Sequence, residues 1–364
     1  MSDSKHKRRS AVKFIVKTEK PLDRLDTKLG EVTIVPYEEG DEHGILELFK
    51  TVFKVDRTLD QWNWEFRDNP NGMHIYVGKL ADGTIVSQYT GILTKGKIFD
   101  RDVLFSQIVD SMVHPQCRSG LKKKGLFALT LLNHSYKHGH LQDECIQMGL
   151  PNPLAYRLGS QTCYYVPMTK AYVHHKEVNP DDASEEVPST IKGLGNTYEV
   201  SMTTELAHDH DHLWARVKDK HRIITWRNKE FWEWRYVQNP HFDYLTLELR
   251  DPSDGALAAS AVCRVGWLDQ PDFVIADWLV DLDRVGAAEA MIKVCEEAAR
   301  RSGMKSVKCF LNHNAPESRT FEDVGYNLLQ TQFRLVSHTY APEFVTERDL
   351  MNEWYYTLGD FDIV

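Results

Sequence analysis

Residues 110–127 read Asp-Ser-Met-Val-His-Pro-Gln-Cys-Arg-Ser-Gly-Leu-Lys-Lys-Lys-Gly-Leu-Phe, a set of types suited to holding a polyanion. A strand that runs through Met112 and Val113 is stopped by Pro115, which has no N–H to give to a ladder. The polar loop behind it carries Arg118, Ser119, Gly120, Lys122, Lys123 and Lys124. Gly125 then opens a helix whose apolar positions begin Leu126, Phe127 and Leu129. Inward-turned loop N–H groups, a helix N-terminus and glycines that admit close backbone approach together attract phosphate groups. The stretch carries neither a Walker-type phosphate loop nor a dinucleotide fingerprint, so those two phosphate chemistries are set aside.

The elements that position this loop recur along the chain. Trp62-Asn-Trp-Glu-Phe66 leads to Asn69-Pro70, and Trp232-Glu-Trp-Arg-Tyr236 leads to Asn239-Pro240, a constant offset of 170 residues (232 − 62). After each copy an Asp-Gly turn joins two alternating apolar runs, which predicts a β-hairpin. A third strand ends at Val113 in the first copy and at Val280 in the second. Helices are expected at about 124–139 and 284–302, followed by short strands over 143–148 and 305–310. Each copy therefore reads strand, helix, helix, three strands, helix, strand, helix, strand, an α/β unit. The boundaries expected are a basic, disordered tail and lead-in over 1–30, a domain over 31–176, an acidic Pro-containing linker over 177–196 and a second domain over 197–364. The paired tryptophans are expected as core anchors of the second helix of each copy.

Val113-His114-Pro115, Arg118 and Gly120 in the loop, and Gly125-Leu126-Phe127 at the helix start resemble the acyl-CoA loop of the GNAT superfamily of N-acyltransferases. Gly149 to Asn152, with Tyr156 and Leu158-Gly159, is similar to that family's later Asn-containing segment. The loop is a few residues longer than the family's short form, and either Arg118 or Lys122 can stand at its basic position. The resemblance implies two fused GNAT-like domains, each with a mixed, mostly antiparallel sheet flanked by helices. It implies an acyl-CoA co-substrate, acetyl-CoA by default, and direct acyl transfer to a small-molecule amine or amino sugar. Met112, Val113, Arg118, Ser119, Gly120, Lys122, Lys123, Lys124, Gly125, Leu126, Phe127 and Asn152 would hold the cofactor. Tyr156, or after it Tyr164, would meet the leaving thiolate. Some family members carry a Glu six residues before the strand-end Val, where this chain has Gln107. Asp110 and His114 flank the expected cleft and could relay the proton. The aromatic and acidic end, Trp354 to Val364, offers Asp360, Asp362 or the carboxylate of Val364 in the same role. The second copy has Val280-Asp-Leu-Asp-Arg-Val-Gly-Ala-Ala288 at the equivalent place, and its acids would repel a phosphorylated cofactor.

Composition bounds the alternatives. A formal net charge of −9 over 364 residues argues against a general nucleic-acid binder and against an aminoacyl-tRNA-dependent ligase of related fold. Apolar runs are too short to span a bilayer, so no membrane partner is expected. Six scattered cysteines without a CxxC pair suit a reduced, cytoplasmic protein. Among the 16 histidines, His174-His175 and the His208–His212 run are the densest groups, and no metal is expected there or elsewhere in the chain. A catalytically degenerate scaffold of the same fold is the non-enzymatic alternative, and pairing with a second copy as a homodimer stays open.

Overall fold

The computed structural model describes residues 19–118, 125–140, 144–162, 165–268 and 270–363. Its first half runs β1 (Arg24–Thr27), β2 (Gly30–Pro36), α1 (Asp41–Phe53), α2 (Leu59–Trp62), β3 (Met73–Lys79), β4 (Ile85–Ile98), β5 (Arg101–Val113), α3 (Leu126–His134), β6 (Glu144–Gly149), α4 (Pro153–Thr162) and β7 (Val166–Glu177). The second runs β8 (Thr190–Lys192), β9 (Thr197–Thr203), α5 (His210–Lys218), β10 (Ile223–Thr225), α6 (Lys229–Trp232), β11 (Leu245–Arg250), β12 (Leu257–Trp267), β13 (Gln270–Val280), α7 (Ala287–Arg301), β14 (Ser306–Phe310), α8 (Pro316–Asp323), β15 (Asn327–Thr339), α9 (Glu347–Glu353) and β16 (Trp354–Tyr355). The repeated order is the one expected from sequence, with β10 added to the second copy. Two short strands were not foreseen. β1 lies inside the expected lead-in and pairs with β2, and β8 lies inside the expected linker and pairs with β9.

Local chemistry repeats with the elements. Thr58 caps α2 by accepting from the Gln61 N–H (3.2 Å), and Gln61 Oε1 accepts from the Thr58 N–H (2.9 Å). Asn228 stands 170 residues later and caps α6 from the Phe231 N–H (3.3 Å). Each cap satisfies a donor that the first helical turn leaves unpaired. Both helices then widen into a π-type turn, Asn63–Arg67 and Glu233–Val237. Trp62 and Trp232 are completely buried, the core role expected of them.

A single sheet runs through both copies in the order β1-β2-β3-β4-β5-β6-β15-β7-β14-β13-β12-β11-β9-β8. The β5–β6 and β13–β14 pairs are parallel and the others along this path antiparallel. One late strand of each half, β7 and β15, crosses over. β15 pairs with β6 of the first half, β7 pairs with β14 of the second, and β7 and β15 pair with each other. Neither half completes its sheet alone.

The two tryptophan motifs also meet. Trp64 Nε1 donates to the Trp234 carbonyl (2.8 Å) and Trp234 Nε1 donates to the Trp64 carbonyl (2.7 Å), with the rings stacked 5.7 Å apart. Near this junction an arginine–aspartate pair occurs twice, at the 170-residue offset on the arginine side. Arg57 pairs with Asp110 on β5, and Arg227 Nε pairs with Asp277 on β13 at 2.8 Å. Arg227 is also bonded to Asp360 (2.5 Å) and to Thr357 Oγ1 (3.0 Å), with all three charged groups buried. Removing the cation would leave two buried carboxylates uncompensated. Arg227→Ala is therefore expected to cost about 3–5 kcal/mol, read as a lower midpoint in chemical denaturation, whereas exchanging the exposed Arg319 should leave the midpoint unchanged.

Candidate active site

Strand β5 cannot stay in register to its end. Gln88 faces Met112 and Thr90 faces Val109, so β5 carries one more residue than β4 over this stretch. The bulge falls at Asp110-Ser111, and Asp110 adopts a left-handed conformation with φ 46°. Arg57 holds the Asp110 side chain, and Gln88 Nε2 donates to the Asp110 carbonyl (3.4 Å). On its other side β5 pairs with β6 only from Leu104 to Gln107. Beyond Gln107 the β5–β6 pairing stops, while β6 stays paired with β15 on its other edge from Ile146 to Gly149.

The gap is a cleft of about 440 Å³. Ile108 to Ser111 and Met148 to Asn152 line it, with Phe127 of α3, Ala155 of α4, Tyr165, Phe49 and Phe53 of α1, and Ser337 and His338 of β15. Main-chain N–H groups of β5 that would face β6 meet this cleft instead. Asp362, near the chain's end, lines it too, and Gln107 Nε2 donates to Asp362 Oδ1 (2.9 Å). Arg235 fixes this part of the tail by donating to the Phe361 carbonyl. Glu65 lies beside Arg57 (3.2 Å).

These charges do not balance locally. Glu65, Asp110 and Asp362 are three carboxyl groups around two guanidiniums, Arg57 and Arg235. Asp362 keeps exposed surface along the cleft it lines, with many protein groups around the rest of it. This desolvation, and then the charge of Asp110, push its pKa up to about 6. Burial likewise raises Glu65, against the pull of Arg57.

The cofactor residues expected from sequence divide into three groups. Met112, Val113 and Leu126 are buried in the core, so their side chains face away from the cleft and only their main chain is available. Gly125 is the N-cap of α3, Phe127 lines the cleft, and Arg118 Nε donates to the Val113 carbonyl (3.1 Å), folded back on the strand end. Asn152 also lines the cleft, and its Oδ1 accepts from the N–H groups of Leu154 and Ala155 (3.0 and 2.9 Å), which starts α4. Ser119, Gly120, Lys122, Lys123 and Lys124 lie outside the described residues, as do Tyr164 and Val364.

The proton-transfer residues separate as well. Asp110 lines the cleft. His114 does not: its Nδ1 accepts from the Gln116 N–H (3.3 Å) and caps the short turn Pro115–Cys117. Tyr156 points to β15, where Arg334 donates to its hydroxyl (3.3 Å) and lies over its ring. Tyr165 stands in the cleft instead, its hydroxyl 2.9 Å from that of Tyr89. Asp360 is held within the Arg227 cluster. The dense histidine groups are tied into structure: His174 bonds Ser318 (2.8 Å) and His210 bonds the Arg227 carbonyl (2.9 Å). Arg57, Glu65 and Arg235 went unread, although Arg57 matches Arg227 at the repeat offset and Glu65 and Arg235 are that repeat's charge-inverted position.

The equivalent place in the second half is filled by the chain itself. Pairing of β13 with β14 ends at Ile275↔Cys309, after which Leu311 bridges to Thr357 of the tail. Thr357 Oγ1 donates to Asp277 (2.9 Å), and a Cβ on Gly359 would lie 1.9 Å from the Tyr236 hydroxyl. The N-terminus of α7 is also covered, because a Cβ on Gly193 would lie 2.2 Å from the Gly286 carbonyl oxygen. Arg284 there is engaged by Asp251 (2.9 Å) and Asp254 (2.7 Å).

Residues 33–159 match the family described as acetyltransferase (GNAT) domain. Among solved structures, a GCN5-related N-acetyltransferase from Anabaena variabilis is similar in fold, with a TM-score of 0.60 at 10% identity over 85% of this chain and 73% of that one. The tandem GNAT protein from the clavulanic acid biosynthesis pathway gives 0.53 at 13% identity, over 85% of this chain and 99% of its own. N-myristoyltransferase from Saccharomyces cerevisiae with bound myristoyl-CoA gives 0.54 at 13% identity, over 88% and 80%. No curated protein matches the chain by sequence. Residues 33–159 are thus similar in sequence to GNAT domains. The chain as a whole has the tandem GNAT fold, a mixed and mostly antiparallel sheet flanked by helices. Among the described residues no helix is long and apolar enough to cross a membrane.

The raised pKa of Asp362 has a consequence for stability. Between its ordinary value of 3.8 and about 6 the folded chain holds a proton there that the unfolded chain has lost. Stability therefore falls as pH rises through that window and stays reduced above it. Asp362→Asn should raise the melting temperature at pH 8 and leave it unchanged below pH ~4, as followed by scanning calorimetry.

Proposed function

We propose that the cleft between β5 and β6 binds an acyl-CoA and transfers its acyl group, acetyl by default, to an amine of a small molecule or amino sugar. The observation that carries this reading is the bulge and parting of β5 from β6 beside the N-terminus of α3. Main-chain N–H groups at the cleft-lining end of β5 would receive the thioester carbonyl, and the cofactor phosphates would fall to Gly125, the first turn of α3 and the loop cations Arg118 and Lys122 to Lys124. The cleft's volume of about 440 Å³ favours a small acceptor over a protein chain.

In the reaction the amine nitrogen attacks the thioester carbon, the C–S bond breaks, and CoA leaves as a thiolate. N–H donors aimed at the developing oxyanion are worth about 3–4 kcal/mol each. An alkyl ammonium with a pKa of ~10 must first lose a proton. Asp362, ionised above pH 6 and in the cleft, takes it. Gln107 occupies the place where some relatives carry a glutamate, and its bond to Asp362 brings in a carboxylate from the chain's end. Tyr165 rather than Tyr156 is positioned to return a proton to the thiolate.

Calorimetric titration with acetyl-CoA, with free CoA and ATP beside it, tests the reading. Gly125→Glu puts a carboxylate at a helix N-terminus, which the helix tolerates but a phosphate does not. It should abolish CoA binding with little change in melting temperature, and wild-type binding by this variant would remove the loop from the site. In a thiol-release assay over a panel of amines, Asp362→Asn should lower turnover by about 10²–10⁴ with CoA affinity retained.

A further inference from the structure

A second group of chemistry-bearing side chains lies where α3 ends and β6 begins, with one member on β3. Past His134 the helix widens into a π-type turn, Ser135–His140, a form often found at functional sites. His138 comes off this turn with its imidazole stacked on that of His74 from β3, ring centroids 3.6 Å apart and planes within 15°. Glu144, at the start of β6, is fully buried, and its Oε1 lies 2.6 Å from His74 Nδ1. One ligand atom from each of His74, His138 and Glu144 falls within 4.8 Å of the other two.

We propose that His74, His138 and Glu144 bind a divalent transition-metal ion, zinc by the chemistry of its donors. Two imidazoles and one carboxylate, with a fourth position left to water, form a donor set that zinc takes readily. Gln147, which bonds Glu144, also lines the cleft, but the donor set itself does not depend on the acyl-transfer reading. The surroundings are built for ligation. Gln147 Nε2 donates to Glu144 Oε2 (2.8 Å), which leaves Oε1 turned to the histidines. The same nitrogen donates to His134 Nδ1 (3.1 Å), and Ser135 Oγ donates to Gln147 Oε1 (3.3 Å). His134 Nε2 then carries its proton to the His74 carbonyl (3.1 Å), which fixes the backbone under one ligand. A carboxylate oriented through its second oxygen is the outer-shell arrangement common to metal sites. A tetrahedral site places ligand atoms about 3.3 Å apart, so the ion draws the three inward by rotation of the half-buried His138. His74 is 17% exposed, which provides a way in.

The test uses the full chain, purified without a metal-affinity tag and stripped with EDTA. Titration with Co²⁺, read by ligand-field absorption, and with Zn²⁺, read by competition and thermal shift, should show one equivalent bound and an EDTA-reversible rise in melting temperature. His138→Ala and Glu144→Gln should each weaken binding at least ~10-fold, with Mg²⁺ giving no shift to any form. Far-ultraviolet circular dichroism identifies a variant that fails to fold. Because His138 is half-buried, its alanine variant decides the matter if the Glu144 variant unfolds. Binding well below one equivalent in wild type, or undiminished binding in folded His138→Ala, would overturn the proposal and leave the group as a His74–Glu144 ion pair with a stacked imidazole.

Discussion

One arginine–aspartate pair, used twice, governs how this chain is arranged. In each half an arginine just ahead of a capped helix reaches an aspartate near the end of the third long strand: Arg57 to Asp110, Arg227 to Asp277. In the first half the aspartate occupies a bulge with a left-handed backbone, a conformation that costs free energy and persists where neighbours hold it. Arg57 is that hold. The bulge lies three residues beyond the last β5–β6 pair at Gln107, in the stretch of β5 that lines the cleft.

The tail treats the two copies differently. Asp360 ends a short helical turn, Leu358–Asp360, and Asp362 follows it after the extended Phe361. Asp360 closes the cation–carboxylate cluster of the second copy, where Thr357 and Gly359 fill the parting between β13 and β14. Asp362 reaches the first copy, where the parting is left open. One segment thereby closes one potential site and adds a carboxylate to the other. The reciprocal Trp64–Trp234 bonds and the strands exchanged between halves hold the copies close enough for this.

Much of the fold was legible in the sequence because it is local. The cap at Gly125, the strand end at Val113 and the hairpins with Asp-Gly turns are decided by neighbours within a few residues. Exchange of β7 and β15 left no such mark, since a strand's pattern of alternation is the same whichever sheet receives it. The place of Tyr156 after Asn152 points to it, but the phase of α4 turns it to Arg334 and leaves the cleft to Tyr165. The Arg57–Arg227 match was present at the same offset as the tryptophans and easier to overlook, as arginine is a common residue. Asp362 could be named as a candidate from an acidic, aromatic terminus, yet its rank over Asp360 and Val364 depends on which copy's arginine each one meets.

The central claim is that this arrangement delivers a carboxyl group of raised pKa to the first cleft. An aspartate-selective carbon-13 titration of the carboxyl carbons, with the Asp362 signal assigned by its loss in Asp362→Asn, measures it directly. The account predicts a midpoint near 6 that moves down in Asp110→Asn, as the neighbouring negative charge is removed. A midpoint near 3.8, unmoved by that substitution, would mean that Asp362 is an ordinary solvated carboxylate and that the cleft lacks the base assigned to it.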